Sequence, residues 1–72
     1  MDWLDCPVIE QVAGKLSGQP VIRHSRVRPQ DLLNNLDQTE EWMAENFGLA
    51  LEDVREVLRF YRRHHEQLAR TA

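Results

Sequence analysis

The stretch Met43-Ala44-Glu45-Asn46-Phe47-Gly48-Leu49-Ala50-Leu51-Glu52-Asp53-Val54-Arg55-Glu56-Val57 decides the fold. Ala44, Gly48, Leu49, Val54 and Val57 stand at the spacing of a helix-turn-helix. Each residue type has a mechanical reason for its place. Ala44 is small, so a second helix can cross close above it. Gly48 can take the left-handed backbone conformation that ends one helix and leads into the next. Met43, Phe47, Leu49, Val54 and Val57 then close a small core across the turn. The pattern argues for a trihelical fold of the DNA-binding kind. It does not by itself establish DNA binding.

Working outward, Thr39 fits the N-cap of the first helix of this pair, with Glu40 and Glu41 at its positive end. The second helix of the pair is expected to start near Ala50 or Leu51 and run to about Leu68, with Glu52 and Asp53 in its first turn. Read as a wheel of roughly 100° per residue, it puts Leu51, Val54, Val57, Leu58, Tyr61, His65 and Leu68 on one arc. Arg55, Arg59, Arg62 and Arg63 share the neighbouring arc. Phe60 lies off the apolar arc, so either another part of the fold or a second subunit must cover it. Upstream, Pro29 suits the first turn of a helix that carries Leu32, Leu33 and Leu36 at helical spacing and breaks at Asp37-Gln38.

Residues 1–28 read as an N-terminal arm and 29–72 as the trihelical region of one single domain. Pro7-Val8-Ile9-Glu10-Gln11-Val12 and Pro20-Val21-Ile22-Arg23 are short β-prone runs, joined by a Gly-containing polar loop. They pair as a hairpin, or one of them pairs with a partner chain. The expected fold is mainly α: a homeodomain-like, three-helix helix-turn-helix domain with short N-terminal strands or a hairpin.

Size and composition bound the function. A chain of 72 residues buries only about 60% of its unfolded surface. No metal motif or disulfide pair staples it, so homodimerisation is the expected source of extra stability. Cys6 is the single cysteine, which points to a reducing cytoplasm and a small, semi-buried hydrophobe rather than a catalytic thiol. No apolar run spans a bilayer and no signal segment opens the chain, so no membrane partner is expected. His64 and His65 are adjacent and diverge by about 100° on a helix, so they do not chelate a metal together. No nucleophile–base pair, phosphate loop or cofactor motif is recognisable, and catalysis is not expected.

The net charge of −3 hides an asymmetry. From Lys15 to Arg28 there are four bases and no acid; from Asp31 to Asp53 there are seven acids and no base. The last helix then supplies Arg55, Arg59, Arg62, Arg63 and Arg70. Overall acidity argues against a non-specific nucleic-acid binder, while local basic patches remain able to contact phosphate.

The run Ser17-Gly18-Gln19-Pro20-Val21-Ile22-Arg23-His24-Ser25-Arg26-Val27, followed by Phe47-Gly48-Leu49 and Leu51-Glu52-Asp53-Val54-Arg55, resembles the domain-of-unknown-function family 433. That family carries a Gly-x-Pro-Val-Ile-x-Gly-Thr-Arg signature, matched here by Gly18, Pro20, Val21, Ile22 and Arg26. His24-Ser25 stand in place of its Gly-Thr, and the glycine it often places between its first two helices is missing near Asp37-Gln38. The resemblance runs from about Pro7 to Arg62. It implies a homeodomain-like fold and, by similarity to some members, an antitoxin encoded beside a ribonuclease-type toxin.

Two functions follow as expectations. In the first, a non-catalytic, antitoxin-like regulator binds operator DNA. Arg55 and Arg59 enter the groove, and Arg23, Arg26 and Arg28 support them on phosphates. Glu52, Asp53 and Glu56 oppose such insertion. Arg26 has a structural alternative, pairing with an acid such as Asp31, and Arg23 and Arg28 have one as residues of a solvated strand edge. In the second, the motif only packs, and the chain is a protein-interaction adaptor anchored by Trp3, Phe60 and Tyr61.

Overall fold

Gly48 ends one helix and opens the turn into the next. Its φ of 67° and ψ of 37° are left-handed, and the Leu49 N–H donates to the Ala44 carbonyl at 2.9 Å. The computed structural model describes residues 2–14 and 18–71, with side chains in the last helix described through His65. Its elements are strands β1 (Ile9–Glu10) and β2 (Val21–Ile22), then helices α1 (Pro29–Leu33), α2 (Glu40–Phe47) and α3 (Leu51–Thr71). A 3-10 turn at Trp3–Asp5 precedes them. The protein is mainly α, with an N-terminal hairpin.

Local chemistry accounts for most boundaries. The Thr39 hydroxyl accepts from the Trp42 N–H at 3.0 Å, capping α2. The Ala50 carbonyl accepts from Asp53 and Val54 as α3 begins. At the start of α1 the Arg28 N–H donates to the Asp31 carboxylate at 3.0 Å. This helix is shorter than the leucine spacing predicts. Asn34 is its C-cap, the Asn35 side-chain amide donates to the Asp31 carbonyl at 2.9 Å, and Leu36 falls in the turn, 47% exposed. Asparagine side chains compete with the helical backbone in this way, and two in succession end the helix early.

The strands pair within the chain, antiparallel, with Ile9 opposite Ile22 and Glu10 opposite Val21. One core joins the hairpin to the helices. Cys6, Val8, Ile9 and Ile22 from the N-terminal segment pack with Leu32, Met43, Val54, Val57, Leu58 and Phe60. Residues read as an arm are therefore a wall of the core. The α3 arc is correct for Val54, Val57 and Leu58, whereas His65 is exposed and the side chain of Leu68 lies outside the described residues. Phe60 needs no second subunit. It is buried, with the Trp3 ring 5.4 Å and the His64 ring 4.3 Å away.

An ion pair fastens the hairpin to α3. Directly after β2, the Arg23 N–H donates to the Val8 carbonyl at 2.8 Å. The Arg23 guanidinium reaches Asp53, with Nη2 and Nε donating to its carboxylate at 2.7 and 3.2 Å. Asp53 is 5% exposed. The hydrogen bond to Asp53, and then its charge, hold the Arg23 guanidinium above its ordinary pKa.

The next residue, His24, has φ 61°. Here the chain turns back: the Ser25 N–H and hydroxyl both donate to the Ile22 carbonyl, at 3.1 and 2.6 Å. The position where the resembling family prefers glycine is thus left-handed, and an L side chain occupies it under strain.

These two backbone sites respond oppositely to substitution. His24→Gly relieves the strain and is expected to stabilise the fold by about 1 kcal/mol, and Gly48→Ala to destabilise it by about as much. No heavy atom lies within 4 Å of a Cβ added at Gly48, so only backbone conformation acts there. Thermal unfolding reads both; a lower midpoint for His24→Gly would contradict the strain. Asp53→Asn is expected to lower the midpoint and speed hydrogen exchange at the Arg23 amide. Unchanged exchange there would mean that apolar contacts alone hold the hairpin.

Candidate nucleic-acid interface

Residues spaced four and three apart recur on one side of a helix. Arg55, Arg59 and Arg62 follow that spacing on α3, and Arg63 flanks them. All four are exposed. With Glu40, from the first turn of α2, they line an open groove of about 430 Å³. The neighbouring face of the same helix, Val54, Val57 and Leu58, lies in the core. The packing that buries one face therefore obliges the arginines to face outward.

The arginines differ in how firmly they are engaged. Arg55 Nε lies 3.8 Å from a Glu40 oxygen and its Nη2 3.9 Å from a Glu41 oxygen. Both distances exceed hydrogen-bond reach. Arg59 makes a direct ion pair with Glu56, one turn back on the same helix. Arg62 and Arg63 make no ion pair among the described residues. A second hollow, of about 300 Å³, is mixed in charge, with Arg23, Arg55 and Arg59 facing Glu52, Asp53 and Glu56. Positive charge is thus concentrated on the groove beside α2 and toward the later turns of α3.

The remaining sequence-derived residues take other places. Arg23 is occupied by Asp53 and lines the mixed hollow rather than the arginine groove. Arg28, not Arg26, pairs with Asp31, at 3.5 Å. This corrects the Arg26–Asp31 alternative, because Arg28 sits at the N-cap of α1 and Asp31 in its first turn. Arg26 is exposed, with no ion pair among the described residues. Phe60 is enclosed by this chain's own Trp3 and is no surface anchor, and Trp3 is half-buried against it. Tyr61 is half-buried and stacked on His65 at 5.7 Å. Trp42 packs edge-on to Phe47 at 6.1 Å, beside the core.

Three residues of these hollows, Arg62, Arg63 and Asp53, are not among the sequence-derived candidates. Arg62 and Arg63 shared the basic arc, so the helical wheel held the signal for adding them. Asp53 reads in the sequence only as an acid in the first turn of α3, and nothing local marks it as the partner of Arg23. Elsewhere, Cys6 is buried, and burial pushes its thiol pKa up, away from nucleophilic use. No group of three or more His, Cys, Asp or Glu placed to hold a metal occurs among the described residues. No described helix is long and apolar enough to cross a membrane.

Neither curated proteins nor solved structures give a match to this chain. The family described as Protein of unknown function (DUF433) matches residues 9–61. The match takes in the hairpin, the His24 turn, the Arg23–Asp53 pair, the Gly48 turn and the groove arginines Arg55 and Arg59. By that match the chain belongs to the DUF433 family.

Proposed function

We propose that this protein is a non-catalytic, DNA-binding regulator of the antitoxin type, with α3 as the helix offered to the duplex. The observation that carries the reading is the groove of Arg55, Arg59, Arg62 and Arg63 on the helix that follows the Gly48 turn. Guanidinium forks pair bidentately with phosphate oxygens and with the O6/N7 edge of guanine. In homeodomain docking the middle of a long third helix reads the major groove, and its C-terminal end contacts the backbone. A 21-residue α3 suits that division. Arg55 and Arg59 are assigned to the groove, and Arg62 and Arg63 to phosphates, with Arg26 and Arg28 as further phosphate contacts. Arg23 belongs to the scaffold. A homodimer would present two such helices to a two-fold operator. The toxin partner rests on the family resemblance alone. The adaptor reading is weaker, because Trp3 and Phe60 pack on each other.

Fluorescence anisotropy tests this, with duplex from just upstream of the protein's own gene against a scrambled duplex, across a salt series. Binding is expected to prefer the upstream duplex and to weaken as salt rises. Arg62→Ala with Arg63→Ala is expected to weaken both duplexes alike and to lower the salt slope by about 2. Arg55→Ala is expected to erode the preference itself, by roughly tenfold. All these side chains are exposed, so circular dichroism should show an unchanged fold. Equal, weak binding to both duplexes would overturn the proposal and turn the search to a protein partner.

A further inference from the structure

We infer that Glu40 and Glu41 compete with nucleic-acid phosphate for Arg55, so that the acidic start of α2 sets how tightly the groove holds DNA; this rests on the DNA-binding reading. Glu40 is the acid among the groove's lining residues. Its carboxylate lies 3.8 Å from Nε of the Arg55 guanidinium and that of Glu41 lies 3.9 Å from Nη2. Neither is needed to cap α2, because the Thr39 hydroxyl already takes the Trp42 N–H. The helix dipole favours acids at this end in any case, which keeps them at the mouth of the groove whether or not Arg55 is engaged.

The geometry is that of a displaceable contact. Arg23 and Asp53 are joined by short, direct hydrogen bonds, with the acid buried. Arg55 is half-exposed and meets its acids only beyond hydrogen-bond distance. A phosphate oxygen that donor N–H groups can approach to about 2.8 Å displaces such a contact. It must also approach two carboxylates, and that repulsion acts on any sequence because every duplex carries phosphates. Glu40 and Glu41 therefore restrain sequence-independent binding in particular, since such binding has no base contacts to offset the repulsion.

The test compares Glu40→Gln and Glu41→Gln with Glu45→Gln, which removes the same charge from α2 at a position that neither lines the groove nor pairs with Arg55. Each is titrated with both duplexes at low salt, in the full chain and again with Arg55→Ala. Glu40→Gln and Glu41→Gln together are expected to tighten binding to the scrambled duplex by about fivefold, well beyond Glu45→Gln. The gain is expected to vanish when Arg55 is alanine. If the chain binds DNA but these variants match Glu45→Gln, or keep their gain without Arg55, the competition is overturned and the DNA-binding reading stands. If neither the native chain nor any variant binds either duplex, the reading and the inference fall together.

Discussion

The Arg23–Asp53 ion pair is the constraint on which the arrangement depends. It ties the residue after β2 to the first turn of α3 across 30 positions of sequence, and so decides how the hairpin lies on the helices. A domain this small buries little apolar surface, and a two-stranded hairpin is marginal by itself. A directional, two-pronged contact from a guanidinium to a nearly buried carboxylate limits the hairpin to one placement. That placement brings Trp3 over Phe60 and gives α3 a second covered face. It also neutralises Asp53, which would otherwise add negative charge beside the arginines.

What could be read in advance follows the range of the forces involved. Thr39 and Gly48 act within a few residues of themselves, so their residue types are sufficient evidence, and α2 and the turn lie where those residues put them. The Val54, Val57 and Leu58 face is a periodicity and equally visible. The end of α1 was less so, because three leucines at helical spacing outweighed the backbone competition of Asn34 and Asn35. What covers Phe60 stayed open between this chain and a second subunit for a different reason. A helical wheel assumes one buried face, whereas α3 packs on α2 along one side and takes the N-terminal segment on another. The pairings of Arg23 with Asp53 and of Arg28 with Asp31 show the same limit. Three arginines within six positions are interchangeable to composition, and only the register of β2 and the N-cap of α1 assign each its acid.

His24 adds a case in which a departure from the family's signature is informative. A glycine is favoured where φ is positive, and φ is positive here. The turn survives because Ser25 supplies two hydrogen bonds to the Ile22 carbonyl and its hydroxyl accepts from the Val27 N–H at 3.1 Å. The surrounding bonds over-determine the conformation, which is how a strained residue persists.

The same accounting arranges the charges of α3 along its length. At its first turn Asp53 faces inward to Arg23. At Arg55 the acids of α2 stand close but loosely. At Arg59 the partner is Glu56 on the same exposed surface, a contact that solvent and salt weaken. At Arg62 and Arg63 no described acid remains. Among the described side chains the availability of positive charge therefore rises from the start of the helix toward its middle, opposite to a helix-turn-helix whose recognition helix offers its first turn to bases. An acidic first turn opposes insertion only if that turn is what enters the groove. Here Asp53 of the first turn is committed to the hairpin, and a net charge of −3 coexists with a basic face two turns further on. The obstacle posed by Glu52, Asp53 and Glu56 lies in the mixed hollow that Arg55 and Arg59 share, whereas Arg62 and Arg63 line only the arginine groove.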